Sequence, residues 1–150
     1  MIFYHYTSHE ALESIMEQGL NRGEAPLSDR RVVNAVNLTT DPDPTGHGLD
    51  NAGHVVTEAE AATLATAGIL VPAGTVFIEK RAIRIKVKLG SGDTKLKQWR
   101  PWSRKHCEPG YADKLERAAG AGRKPRTWWL YFGTIPATEF LAVDILKPRD

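Results

Sequence analysis

A single cysteine, Cys107, stands among 150 residues. One thiol forms no internal disulfide and supplies no thiolate cluster for zinc, so a secreted disulfide scaffold is excluded. Missing too is any apolar run approaching the roughly 20 residues that cross a bilayer, which excludes a spanning helix. The opening Met1-Ile2-Phe3-Tyr4-His5 has neither the basic start nor the apolar stretch of a secretory signal, and a cytoplasmic chain with no membrane partner is expected. Internal repeats, low-complexity tracts and linkers are absent as well, so residues 1–150 read as one domain. A hydrophobic fraction of 41% and a charged fraction of 25% are ordinary for a globular chain with one core.

The net charge of +2 conceals an asymmetry. Residues 1–75 carry three Arg against ten Asp or Glu, and residues 76–150 carry seventeen Lys or Arg against eight, about −7 and +9. Ten of those cations and one acid, Asp93, lie between Lys80 and Lys105. Lys95, Lys97 and Arg100 stand there with Trp99 and Trp102, cations and stacking faces of the kind that bind single-stranded DNA or RNA. The alternative is a solvated basic face balancing the acidic half, with both tryptophans capping the core.

Patterning predicts the elements. Ile2 to Tyr6 is β-prone, and Thr7-Ser8-His9-Glu10 has capping-box spacing ahead of a helix with Leu12, Ile15 and Met16 on one face, stopped by Gly19. A polar loop with Gly23 and Pro26 leads to a strand over Val32 to Thr39 and a long loop over residues 41–54. Thr57 and Glu60 repeat the capping-box spacing before an Ala-rich helix reaching Gly68. Ile83 to Leu89 alternates apolar and basic residues, the period of a half-buried strand. A helix over Tyr111 to Ala119 and strands over Trp128 to Phe132 and Phe140 to Leu146 complete the order β-α-β-α-β-α-β-β, an α+β domain with a small mixed sheet and short helices packed on it.

Several residues carry candidate chemistry. His5 sits near the end of the first strand, just before a helix N-terminus, a place that favours an anionic or carbonyl-bearing ligand; the plainer reading is a core-edge histidine bonded to a carbonyl. His47 and His54, near Asp41, Asp43 and Asp50, lack metal-site spacing and read as a solvated or substrate-covering loop. No metal is assigned. Cys107 beside His106 has no orienting partner and reads as structural. Trp128 and Trp129, neighbours in a strand, must point to opposite faces.

Tyr4-His5-Tyr6-Thr7, the helix ending Ile15-Met16-Glu17-Gln18-Gly19-Leu20, and Val36-Asn37-Leu38-Thr39-Thr40 together resemble the opening of the ADP-ribosyltransferase superfamily, which includes DarT-type toxins and small rifamycin-modifying transferases. The resemblance covers roughly residues 2–40 and implies a sheet split around an NAD cleft, with NAD as a substrate. It implies that His5 orients the ribose, that Tyr6 or Thr7 lines the nicotinamide pocket, and that Thr39 and Thr40 lie close by. Arg84 would clamp the pyrophosphate with its guanidinium fork, or else remain a surface arginine on an amphipathic strand.

The family commonly starts a late strand with an acid, and Thr127-Trp128-Trp129-Leu130-Tyr131-Phe132 has none. Glu139 follows that strand and Glu79 precedes the basic one, neither at the family spacing; Trp128 would instead hold the place in the manner of members with an apolar or aromatic third position. The implied reaction moves ADP-ribose from NAD to a macromolecular acceptor, nucleic acid or protein, through an oxocarbenium-like state served by positioning and charge. Toxin, phage or bacterial conflict roles are implied with it. Two alternatives stay open: a non-catalytic nucleic-acid- or protein-binding module on the same fold, and an enzyme related to RNA 2′-phosphotransferases.

Overall fold

The computed structural model describes residues 1–66 and 68–149. Strand β1 (Ile2–Thr7) hands directly to helix α1 (His9–Gln18). The cap is Ser8 rather than Thr7: its hydroxyl accepts the Ala11 N–H at 3.3 Å, while Thr7 stays in the strand. Gly19 ends the helix at φ 79°, and Leu20 turns into the core as expected after a glycine cap. Leu12 and Ile15 pack inward, but Met16 is exposed.

The expected polar loop is instead strand β2 (Glu24–Ser28), paired with β3 (Arg31–Asn34) in a two-stranded hairpin. The strand expected over Val32 to Thr39 is broken at Ala35 into β3 and β4 (Val36–Thr39), which belong to different sheets. Gly23 makes the break possible. Its carbonyl accepts the Ala35 N–H at 3.3 Å, and a Cβ at Gly23 would lie 2.1 Å from the Ala35 carbonyl oxygen.

Helix α2 (Glu58–Thr66) starts on a reciprocal capping box, with the Glu60 N–H donating to Thr57 Oγ1 at 3.2 Å and the Thr57 N–H to Glu60 Oε1 at 3.3 Å. Ala67, within its expected span, lies outside the described residues. Strand β5 (Ile83–Lys88) follows, then β6 (Leu96–Gln98), α3 (Trp99–His106), α4 (Tyr111–Ala118), β7 (Trp128–Tyr131) and β8 (Phe140–Ile145). Helix α3 lies in the basic segment, where no helix was expected. Its signal is Trp99, Trp102, Ser103 and His106 at helical spacing, with Trp99 and Ser103 buried. No helix among the described residues is long and apolar enough to cross a membrane.

Six strands form one sheet in the order β6-β7-β4-β1-β5-β8, and every neighbouring pair is antiparallel. The expectation of a mixed sheet is thereby corrected. The β2–β3 hairpin inserts a reversal between α1 and β4, so β4 enters against β1 instead of completing a parallel crossover. Strand β1 pairs with β5 through all six residues, from Ile2↔Lys88 to Thr7↔Ile83, but meets β4 at one pair only, Tyr4↔Thr39.

The pleat divides the side chains between two cores. Phe3, Leu38, Ile83, Ile85 and Val87 pack on the face under α1, with Trp129 edge-on to Phe3 at 5.3 Å. The opposite face holds Leu130 and Trp128 of β7, covered by Trp99 and Trp102 of α3 and Leu115 of α4. The two adjacent tryptophans of β7 do point to opposite faces.

Candidate functional site

Where β1 and β4 stop pairing, the sheet carries a cleft of about 560 Å³. Tyr4, His5 and Tyr6 supply one wall, Asn37 and Thr39 the next, and Trp128 and Trp99 an aromatic side, and Gly48 and Leu49 of the loop after β4 also line it. Among the described residues that line it, Glu24 of β2 is the only carboxylate and Lys80 the only lysine or arginine.

The parting of the strands is bridged by a side chain. The Asn37 carbonyl, which lies beyond the single β1–β4 pair, accepts from Nδ1 of His5 at 2.8 Å. A carbonyl only accepts, so Nδ1 carries a proton, and in the neutral ring Nε2 then keeps its lone pair. Burial lowers the pKa of His5 from its ordinary value, and the Asn37 carbonyl opposes that only in part. The ring is therefore a neutral hydrogen-bond acceptor beside the cleft.

A second histidine organises the wall opposite. The Trp128 indole donates to Nδ1 of His47 at 2.8 Å, and an indole N–H can only donate. Nε2–H of His47 then faces Asp41 Oδ2 at 3.2 Å and the Asp43 carbonyl at 3.0 Å. The His47 side chain is only 6% exposed, and burial lowers its pKa against the pull of Asp41. Burial would raise the Asp41 carboxyl, but hydrogen bonds from Lys124 and from the Asp43 backbone prevail and hold it below the usual carboxylate value. Tyr6 stacks on His47, with ring centres 6.0 Å apart, and its hydroxyl donates to the Asp41 carbonyl at 2.8 Å. Burial pushes the Tyr6 phenol well above its usual value.

No family model matches this chain, and neither a curated protein nor a solved structure does.

The residues singled out in the sequence fall into three groups. His5, Tyr6, Thr39 and Trp128 meet at the cleft. The Thr39 hydroxyl is already engaged, because Thr127 Oγ1 donates to the Lys124 carbonyl at 2.7 Å and so takes the Thr39 proton across 2.7 Å. Its part is to tie the end of β4 to the turn before β7. Thr7 and Thr40 border the site without lining it; the Thr40 N–H donates to the Thr127 carbonyl.

Arg84 also stands outside the cleft lining, with both arms of its fork in use. Nε and Nη2 donate to Asp144 Oδ2 at 3.2 and 3.1 Å, and Nη1 donates to the Pro42 carbonyl at 2.7 Å. Glu139 does not reach the cleft. It is exposed in the 3-10 turn before β8, which packs on α1, and β8 is separated from β4 by β1 and β5. Glu79 is absent from the lining too, held by Arg81 and Lys147, which lower its pKa to about 2.

The proposed stacking platform is corrected as well. Trp99 is 3% exposed and packs against Trp102 and Trp128, so no base can stack on it from solvent; Trp102 is half-buried against Phe132 and His106. Arg100 is paired with Glu116 at 3.1 Å, whereas Lys95 and Lys97 remain exposed beside Arg104 and Lys105. The cleft residues missed in the sequence include Glu24 and Lys80, and Glu24 was the harder to see. Its only local signal was an acid next to a glycine in a segment that Pro26 marked as loop, and nothing local brought that segment to β4.

Proposed function

We propose that the chain transfers ADP-ribose from NAD to a macromolecular acceptor at this cleft. The observation that carries the reading is His5: a neutral ring, fixed by the Asn37 carbonyl where β1 and β4 part, with a free acceptor nitrogen suited to a ribose hydroxyl. The Tyr4, Tyr6 and Trp128 rings along the cleft suit a flat ring.

In the reaction the bond between ribose C1′ and the nicotinamide nitrogen breaks, and its electron pair leaves with nicotinamide, which becomes neutral. The oxocarbenium-like C1′ is attacked by an acceptor oxygen or nitrogen, and the acceptor loses one proton. Glu24 is the carboxylate suited to stabilise the developing positive charge and take that proton, and Lys80 is suited to a phosphate of the dinucleotide. Exposed Lys95, Lys97, Arg104 and Lys105 favour a polyanionic acceptor, nucleic acid, over a neutral one.

The test incubates the protein with NAD and with oligonucleotide or protein acceptors and follows released nicotinamide and labelled acceptor. Release that depends on acceptor and on His5 is expected. Absence of both NAD binding and nicotinamide release overturns the reading.

A further inference from the structure

The Trp128–His47–Asp41 chain has a polarity that only one protonation state satisfies. The indole N–H points at Nδ1, so Nδ1 must accept, and the ring proton is left on Nε2 facing Asp41 Oδ2 and the Asp43 carbonyl. A second ring proton would set N–H against N–H on the Trp128 side while strengthening the Asp41 side. The ring would then stay with its loop and let go of the tryptophan.

Every element packed around the ring contributes to this arrangement. From its own loop come Asp41 and Asp43, whose carboxylates cap the turns that follow them through the Asp43, Thr45 backbone N–H groups. Lys124, in the turn before β7, is bonded to Asp41 and lies 3.9 Å from Asp43. Tyr6 of β1 stacks on the ring, Trp128 of β7 faces it, and Arg84 of β5 grips the same loop through the Pro42 carbonyl. Lys124 disfavours a second proton, and the Asp41 carboxylate and the Asp43 carbonyl favour it. The balance with burial leaves the pKa of the ring below its ordinary value.

We propose that His47 is a positioning residue of the cleft, whose neutral ring, aimed by Asp41 and Asp43, holds the Trp128 indole in the cleft wall and releases it on taking up a proton. The inference goes beyond the ADP-ribosyl reading and does not depend on it, because Trp128 itself is the readout.

The experiment records indole N–H resonances of the 15N-labelled full chain, with the Trp128 signal identified by its loss in Trp128→Phe. Exchange with solvent, corrected for its intrinsic pH dependence, is followed from about pH 7.5 to about pH 5 alongside the His47 ring titration. The expected result is slow exchange at the upper pH and a rise of about tenfold as the ring titrates, with a midpoint below 6.5. His47→Ala should exchange fast throughout. His47→Asn, whose side-chain oxygen stands in for Nδ1, should restore slow exchange without the pH step. Exchange that ignores the ring titration in the unmodified protein, or an indole as unprotected in His47→Asn as in His47→Ala, overturns the proposal. If His47→Ala does not fold, the titration and His47→Asn still decide it. NAD affinity measured across the same pH range bears only on the proposed reaction.

Discussion

The two faces of the sheet are held together by different chemistry. Under α1, Phe3, Ile83, Ile85 and Val87 are shut away from solvent, and the cohesion is non-directional burial of hydrocarbon. On the opposite face, Trp128, His47, Thr39 and Asp41 meet through directed hydrogen bonds, each of which requires a particular donor and acceptor. The first face is sensitive to lost volume; the second has a buried core of its own around Leu130 and Trp99, and adds to it a set of bonds that responds to pH.

Truncation of the first face should have the largest effect. Phe3→Ala, at a fully buried position against Trp129, should destabilise by about 3–5 kcal/mol in urea unfolding, with little change in its pH dependence. A loss under about 1 kcal/mol would show that this core refills easily and that the contrast is overstated. Gly23→Ala comes next, at about 1–3 kcal/mol, because its Cβ would meet the Ala35 carbonyl and push β2, with Glu24, away from β4. Any NAD binding should weaken in that variant as well.

Changing pH should act on the two histidines of the cleft and not on the hydrocarbon core. Burial lowers the pKa of both His5 and His47 below 6.5, so the unfolded chain binds their protons more readily than the folded one. Their contribution to stability is complete above that value and is lost as the pH falls through the lower folded values, with a slope up to about 1.4 kcal/mol per pH unit for each ring. Urea midpoints at about pH 7.5 and pH 5.5 measure it. The difference should persist in Phe3→Ala and shrink in His47→Asn; equal slopes in all three would detach the histidines from it.

A finer distinction comes from His5→Asn. Its side-chain N–H can still donate to the Asn37 carbonyl, but nothing replaces Nε2. Stability should stay within about 1 kcal/mol of the parent while NAD affinity, read by calorimetry, drops roughly tenfold. Unchanged affinity would remove His5 from the ribose contact. The smallest effect on folding is expected for Lys97→Ala, within about 0.5 kcal/mol, although it should lower oligonucleotide affinity and reduce the salt slope by about one. An unaltered salt slope points away from this edge of the sheet.

Local pattern was sufficient for β1, the Gly19 stop, the Thr57–Glu60 capping box, β5 and the opposite facing of Trp128 and Trp129, because alternation and capping are settled by residues within a few positions of one another. The same short range explains what was missed. Nothing near Gly23 announces that Ala35 will close on it, and a run of valines and asparagines from Val32 to Leu38 gives no hint of changing sheets halfway. Helix α3 hid behind the charges on its outer face.

At the site, the sequence by itself determined that His5 stands near the end of a strand that runs into a helix start. Tertiary structure decided that its ring takes the place of a missing rung toward β4, that Glu24 and not Glu139 reaches the cleft, and that Arg84 is engaged by Asp144. It also decided that His47 meets Trp128 across 81 residues of chain. Those pairings follow from the order in which strands join the sheet, and that order depends on long-range burial, which no local period encodes.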